Sequence, residues 1–127
     1  MKNAAIPFLI AILFPIISWG ADKHGNFGSS LPKDFKYCDN YISALDACMN
    51  KHCYKENIFN AWLNGYITAY NAYVADTFNI VGKRDMAALN FWLANYCTKN
   101  PQSSFDNAVG HLMVELAPQR ITQKPAD

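Results

Sequence analysis

Apolar side chains recur every three or four residues through most of the chain after Pro32, which is the period of an amphipathic helix. Four such stretches predict four helices, roughly over residues 33–50, 57–79, 86–99 and 104–117. No stretch shows the sustained alternation of apolar and polar positions that is typical of a strand. The pattern therefore predicts an all-α protein, a compact bundle of about four helices.

The second predicted helix has two faces of different character. Bulky apolar side chains share one arc, and the opposite face carries small side chains at Ala61, Gly65, Thr68 and Ala72. A groove of small side chains lets another helix approach closely, because interaxial distance depends on the side chains at the contact. We therefore expect this helix to be sandwiched between partners at the centre of the bundle.

Local signals mark the ends of the later helices. Asp85 is a suitable N-cap for the third helix, since its carboxylate can accept from a free backbone N–H. Ser103 and Asp106, three residues apart, resemble a capping box for the fourth. Pro118 should end that helix, because it cannot continue the hydrogen-bonding pattern.

The two ends of the chain differ from its middle in composition. Residues 21–31 are rich in Gly and Ser, which predicts a flexible leader. The helical domain is then expected over residues 32–118, and the polar residues 119–127 predict a disordered tail.

An apolar stretch of about 14 residues, 4–17, follows the basic residue Lys2. It is shorter than the roughly 20 residues that span a bilayer, and Ser18 and Gly20 place small residues at positions −3 and −1 of a cleavage site. These features predict a cleaved signal peptide over residues 1–20. They favour export to the periplasm of a Gram-negative bacterium, with no membrane segment in the mature form.

Composition narrows the class of protein further. The chain is 51% hydrophobic and 14% aromatic but only 17% charged, which excludes an extended disordered chain. Without Lys2, the 11 basic residues become ten and balance the ten acidic ones. We therefore expect no nucleic-acid partner, because such proteins carry a basic surface. The 127 residues suffice for one compact domain.

An even number of cysteines lies beyond the signal peptide: Cys38, Cys48, Cys53 and Cys97. In an exported protein this predicts disulfides. Cys38 and Cys97 lie within the apolar stripes of the first and third helices, whereas Cys48 and Cys53 flank the end of the first. The stripes favour the pairs Cys38–Cys97 and Cys48–Cys53 among the three possible connectivities.

A metal site is the alternative, because Cys48, His52 and Cys53 lie within six residues. A further ligand would have to come from one of three residues: Cys38, His24 or His111. The spacing lacks the paired C-x2-C segments of a structural zinc site. We therefore expect no metal and no other cofactor.

The chain contains no recognisable catalytic motif. His24, His52 and His111 lie in unrelated segments, and Glu56 and Asp76 would stand about 30 Å apart at the two ends of one helix. The sequence therefore favours a protein that is not an enzyme.

Four residues are candidates for binding a partner. Asn60, Asn64 and Asn71 share one side of the second helix, where they form either a polar recognition surface or a set of solvated or internally bonded amides. Phe91 points away from the apolar stripe of the third helix. It is either part of the core or an exposed aromatic of the kind that anchors interfaces.

The segments WLNGYITAYN at 62–71 and WLANYC at 92–97, followed by Asn100 and Pro101, resemble small exported helical proteins of the HdeA-like superfamily. The resemblance covers about residues 35–117, and Cys38 and Cys97 match the cysteines that link two helices in such proteins. It implies an HdeA-like, disulfide-linked helical fold. The superfamily includes acid-stress chaperones, and periplasmic immunity proteins against type VI secretion amidases have a similar helical fold.

Two functions fit these expectations. The first is a periplasmic inhibitor or immunity protein, monomeric or homodimeric, whose partner is an exported effector enzyme such as a peptidoglycan amidase. The second is an acid-activated chaperone that binds unfolded clients. At low pH the ten carboxylates would be neutralised, and the repulsion of the remaining positive charges could loosen the bundle.

Overall fold

The computed structural model describes residues 31–126, and within this range the chain contains no β-strand. The elements are a 3-10 turn and four helices: Lys33–Phe35, then α1 Cys38–Met49, α2 Tyr54–Tyr73, α3 Met86–Lys99 and α4 Phe105–Leu116. A second 3-10 turn, Ala117–Gln119, follows α4. The expected all-α bundle of four helices is confirmed. The predicted signal peptide (1–20) lies outside the described residues, as does the predicted leader (21–31) except for Leu31, which is buried.

The first helix begins five residues later than its apolar pattern predicts. Tyr37 is extended (φ −110°, ψ 159°) and pairs with Ser104 in an isolated bridge. Two backbone bonds reinforce this pairing, from Cys38 N–H to the Ser103 carbonyl at 2.9 Å and from Phe105 N–H to the Lys36 carbonyl at 2.8 Å. The segment before α1 thus runs beside the start of α4, and this long-range contact prevents a continuous helix from residue 33.

The central helix is α1, which contacts α2, α3 and α4, whereas α2 packs mainly on α1. The prediction that α2 is sandwiched is therefore wrong. The whole small-residue face is exposed: Ala61, Gly65, Thr68 and Ala72. A Cβ built on Gly65 would meet nothing within 4 Å. Burying small side chains removes little apolar area from water. This face therefore contributes little free energy to helix packing.

An aromatic cluster fills the core where α1, α2 and α4 meet. The rings of Tyr41, Phe59 and Phe105 are fully buried, with centroid separations from 4.7 to 5.2 Å. Tilted and edge-on ring pairs of this kind stabilise a core beyond the area they bury.

The second helix ends at Tyr73, six residues earlier than predicted. The Oδ1 atom of Asn71 accepts a 2.8 Å hydrogen bond from the Ile80 backbone N–H. Asp76 has a φ of +53°, which turns the chain back. The turn delivers Ile80 into the core with 0% exposure, and a helix continued to residue 79 could not do this.

The third helix has the predicted bounds, and Asp85 is its N-cap, accepting from Ala88 N–H at 2.9 Å. The fourth helix begins one residue late. Its N-cap is Ser104, which makes no side-chain capping bond, so the predicted capping box of Ser103 and Asp106 does not form. The predicted tail is held at its start. Ile121 exchanges backbone hydrogen bonds with Asn79 at 2.9 Å, so a disordered tail from residue 119 is not what the structure shows.

Both predicted disulfides are present. Cys38–Cys97 joins the start of α1 to the last turn of α3, and both residues are fully buried. Cys48–Cys53 closes the short loop between α1 and α2 and is partly exposed. Two disulfides indicate an oxidising compartment outside the cytoplasm. Within residues 31–126, no helix has the length and apolar character needed to cross a bilayer.

Candidate partner-binding surface

Two of the four candidate contact residues are engaged inside the fold. Asn71 holds the loop after α2 through its bond to Ile80, and Asn60 is half-buried between α2 and α3. For these two asparagines the internally bonded alternative is what the structure shows. Their side chains support the fold, and we leave them out of the binding surface.

Asn60 belongs to a chain of hydrogen bonds that crosses three helices. The Tyr41 hydroxyl donates to Oδ1 of Asn90 at 3.2 Å, the Asn90 amide donates to Oδ1 of Asn60 at 2.9 Å, and the Asn60 amide donates to a Glu56 carboxylate oxygen at 3.4 Å. Every donor in the chain points toward the carboxylate, which favours cooperative strengthening.

Burial raises the pKa of the Tyr41 hydroxyl far above its usual value, and the nearby Glu56 charge raises the pKa further. The hydroxyl therefore stays protonated and remains a donor to Asn90. The polar chain ties α1, α3 and α2 together.

The other two candidates, Asn64 and Phe91, are exposed. Phe91 is 72% exposed, which settles the sequence ambiguity against a core position. By helical spacing its neighbours on the surface of α3 are Ala87, Ala88 and Asn95, all exposed as well. A phenylalanine therefore projects from a surface of small side chains.

Three other rings form a stack that joins α3 to α4. Trp92 and Tyr96 lie with centroids 5.4 Å apart and planes 13° apart. The His111 ring continues the stack at 5.2 Å from Tyr96. The i, i+4 spacing of Trp92 and Tyr96 was visible in the sequence, but the contribution of His111 depends on how the two helices pack.

A shallow cleft of about 180 Å³ borders this stack. Its walls are five residues near the end of α3: Trp92, Asn95, Tyr96, Lys99 and Asn100. The two aromatic rings lie in the middle of this cleft, and the two amides and the lysine lie at its edge. This composition resembles that of protein interfaces. We call Phe91, Trp92, Asn95, Tyr96 and Lys99 the α3 surface.

The helix that carries this surface is fixed at both ends. Asp85 caps its first turn, and Cys97 in its last turn is joined to Cys38 of the central helix. Leu89 and Leu93 bury the opposite side of α3 in the core. The α3 surface is therefore already formed before any partner arrives, which lowers the entropic cost of binding.

A second row of rings, all half-buried, runs along α2. Trp62 stacks on Tyr66 at 5.4 Å, and Tyr70 continues the row at 6.4 Å. Burial raises the pKa of Tyr66, and Tyr70 and Asp106 add to the rise. Asp106 has one buried oxygen, Oδ1, with no hydrogen-bond partner among the described residues. None of these three rings is as exposed as Phe91, so this row offers a partner no comparable anchor.

The segment with Cys48, His52 and Cys53, the alternative metal site of the sequence analysis, does not form a metal centre. The sulfurs of Cys48 and Cys53 are bonded to each other and do not offer the thiolates that a metal requires. His52 is exposed in the loop between α1 and α2, and His111 stacks on Tyr96. His24 lies outside the described residues.

Comparison with protein-family models, curated proteins and solved structures finds no match to this chain. The resemblance to the HdeA-like superfamily therefore stays a prediction. The function has to be argued from the α3 surface itself.

Proposed function

We propose that this is a non-enzymatic, exported protein-binding protein of the inhibitor or immunity type, which docks a folded partner on the α3 surface. The observation that carries the proposal is the exposure of Phe91, at 72%, on a helix held rigid at both ends. An exposed phenylalanine leaves apolar area in contact with water, and burial against a partner would recover roughly 1.5–3 kcal/mol.

The residues around Phe91 are of the types that dominate binding energy. Tryptophan and tyrosine are enriched in interface hot spots, and Trp92 and Tyr96 stack on each other on the same helix. Lys99 and Asn95 would stand at the polar edge of the contact, where they help to select the partner.

The partner and the compartment belong to the same proposal. The two disulfides support an oxidising location, for which we propose the periplasm. The partner would be an exported effector enzyme such as a peptidoglycan amidase. A rigid, preformed surface suits recognition at neutral pH, where no unfolding of the bundle is required.

Capture from periplasmic extract at pH 7, followed by calorimetry and activity assays with the purified captured protein, tests the proposal. We expect a one-to-one complex with a folded enzyme and inhibition of that enzyme. Phe91→Ala should weaken binding by about thirtyfold, the effect of losing a hot spot worth about 2 kcal/mol, and Lys99→Ala should weaken it less. Tyr73→Ala is the matched control, because Tyr73 is an even more exposed aromatic, at 88%, on α2.

An acid-activated chaperone would behave in the opposite way. It would bind no specific partner at pH 7 and would suppress aggregation of a generic client at about pH 2–3, where carboxylates are protonated. Light scattering at both pH values measures this suppression. That pair of results would overturn the proposal in favour of the chaperone.

A further inference from the structure

We propose that the Cys48–Cys53 disulfide is a thiol–disulfide exchange site that accepts electrons from cysteine thiols of extended polypeptides. This inference is independent of the α3 surface. It rests on the position of the disulfide in the loop between α1 and α2 and on the side chains around it.

The two disulfides differ in accessibility. Cys38 and Cys97 are both 0% exposed, so no thiolate can reach their sulfurs without opening the core. Cys48 and Cys53 are partly exposed, and the loop residues between them, 49–52, are all exposed. Exchange requires an attacking thiolate in line with the bond, so access separates a reactive disulfide from an inert one.

Apolar side chains flank the accessible disulfide on both sides. Met49 follows Cys48 and is 78% exposed, and Tyr54 follows Cys53 and is 75% exposed. A flexible methionine and an aromatic ring suit contact with the apolar residues of an unfolded or extended chain. The substrate class that fits is therefore a peptide thiol.

The ends of two helices make the two sulfurs unequal. Cys48 lies in the last turn of α1, where the backbone dipoles place partial negative charge, and Cys53 is the N-cap of α2, where they place partial positive charge. A thiolate is therefore more stable on Cys53 than on Cys48. Cys53 is the better leaving group, and Cys48 is the sulfur that an incoming thiolate attacks.

Glu56 adds a charge to the same site. A carboxylate oxygen of Glu56 and both sulfurs lie within 4.8 Å of one another. Its negative charge opposes the thiolate that forms on Cys53, and so it slows the exchange. The same carboxylate accepts from Asn60, which fixes its position at the first turn of α2.

The reaction balances without a further reagent. A substrate thiolate attacks Sγ of Cys48, the Cys48–Cys53 bond breaks, and the electron pair leaves on Sγ of Cys53, which takes a proton from water. A second substrate thiolate then attacks the substrate sulfur of the mixed disulfide and displaces the Cys48 thiolate. Two electrons pass from the substrate dithiol to the protein, and the substrate gains the disulfide.

The test follows reduction of the full chain by reduced glutathione and, separately, by a two-cysteine peptide with aromatic residues. Timed alkylation and mass mapping give the rate for each disulfide. We expect Cys48 and Cys53 to be labelled at least about tenfold faster than Cys38 and Cys97. The peptide should react faster than glutathione, and the trapped mixed disulfide should map to Cys48.

Two variants test whether the side chains around the Cys48–Cys53 disulfide set its exchange rate, beyond the effect of its exposure to solvent. Glu56→Gln should speed the exchange several-fold, because it removes the charge that opposes the Cys53 thiolate and keeps an acceptor for Asn60. Glu115→Gln, an exposed change on α4, is the matched control and should leave the rate unchanged. Equal rates for the two disulfides, a mixed disulfide on Cys53, or no advantage of the peptide over glutathione would overturn the proposal.

Discussion

The side-chain amide of Asn90 donates a 2.9 Å hydrogen bond to Oδ1 of Asn60, and this bond ties α3 to α2. Otherwise α2 packs mainly on α1, whereas α3 packs on both α1 and α4. On its other side Asn90 accepts from the Tyr41 hydroxyl. The side chain of Asn90 on α3 thus bonds to Tyr41 on α1 and to Asn60 on α2, and it connects three helices.

Asn90→Ala should lower the free energy of unfolding by about 1–3 kcal/mol. The variant leaves Oδ1 of Asn60 without its partner in a partly buried position, and it leaves the Tyr41 hydroxyl with only its longer bond, 3.4 Å, to the backbone carbonyl of residue 90. An unmade buried hydrogen bond has this cost. Urea unfolding measures the change. Asn64→Ala on the exposed side of α2 is the control and should change stability by less than about 0.5 kcal/mol.

Gly65→Ala should stabilise the protein by about 0.5–1 kcal/mol. Gly65 lies within α2, a Cβ there meets nothing within 4 Å, and alanine costs less entropy than glycine in a helix. Thermal unfolding of the two variants Gly65→Ala and Gly65→Leu decides whether the face is free. A large loss with leucine would show that another helix or a second copy packs there.

Gly82→Ala should destabilise the protein, in contrast to Gly65→Ala. Gly82 has a φ of +64°, in the left-handed region, and a Cβ there would stand 2.8 Å from the Gln119 carbonyl oxygen. The strain and the close contact with the segment after α4 should together cost more than about 1 kcal/mol. The same thermal unfolding experiment compares the two glycines, and an unchanged melting temperature would show that the Gln119 segment does not pack on this turn.

Some features of the structure could be predicted from residues close together in the sequence or from its apolar pattern. The third helix begins at a capping aspartate, Asp85, and ends before Asn100 and Pro101, so its bounds follow from the residues alone. The disulfide pairing was predictable because Cys38 and Cys97 lie on apolar stripes that must both face the core.

Other features depend on contacts between distant segments. The apolar period of α2 continues to Thr77, but the bond from Ile80 N–H to Asn71 ends the helix early. The small-residue face around Gly65 carries no information about whether a partner covers it. The α3 surface was predicted only at Phe91. The position of His111 beside Tyr96, which extends the ring stack, is set by the packing of α4 on α3.

Loss of Cys38–Cys97 should cost more stability than loss of Cys48–Cys53. The sequence separations are 59 and 5 residues, for which loop-closure entropy gives about 4 and about 2 kcal/mol. Paired Cys→Ala variants of each disulfide, unfolded in urea, measure the difference. A larger loss from the short loop would mean that native contacts of the loop, and not chain entropy, dominate.

Stability should fall as the pH rises above about 10, the usual pKa of tyrosine. The pKa of Tyr41 is raised in the folded state, so above pH 10 the unfolded chain loses a proton that the folded chain keeps. Ionisation then favours unfolding, and the contribution of Tyr41 is complete below pH 10 and declines above it. Tyr41→Phe should be less stable at pH 7, through loss of its bond to Asn90, yet should lose less stability between pH 7 and pH 11.

Phe91→Ala should leave the free energy of unfolding within about 0.5 kcal/mol of the wild type, because Phe91 is 72% exposed and Asn95, one turn later, bonds only its backbone carbonyl. Phe59→Ala, which removes a fully buried ring from the core, should cost about 3–5 kcal/mol. Chemical unfolding of both variants therefore separates a phenylalanine that holds the fold from one that does not. A large loss of stability on removing Phe91 would mean that the ring packs in the fold, and any loss of binding in that variant could no longer be assigned to the α3 surface.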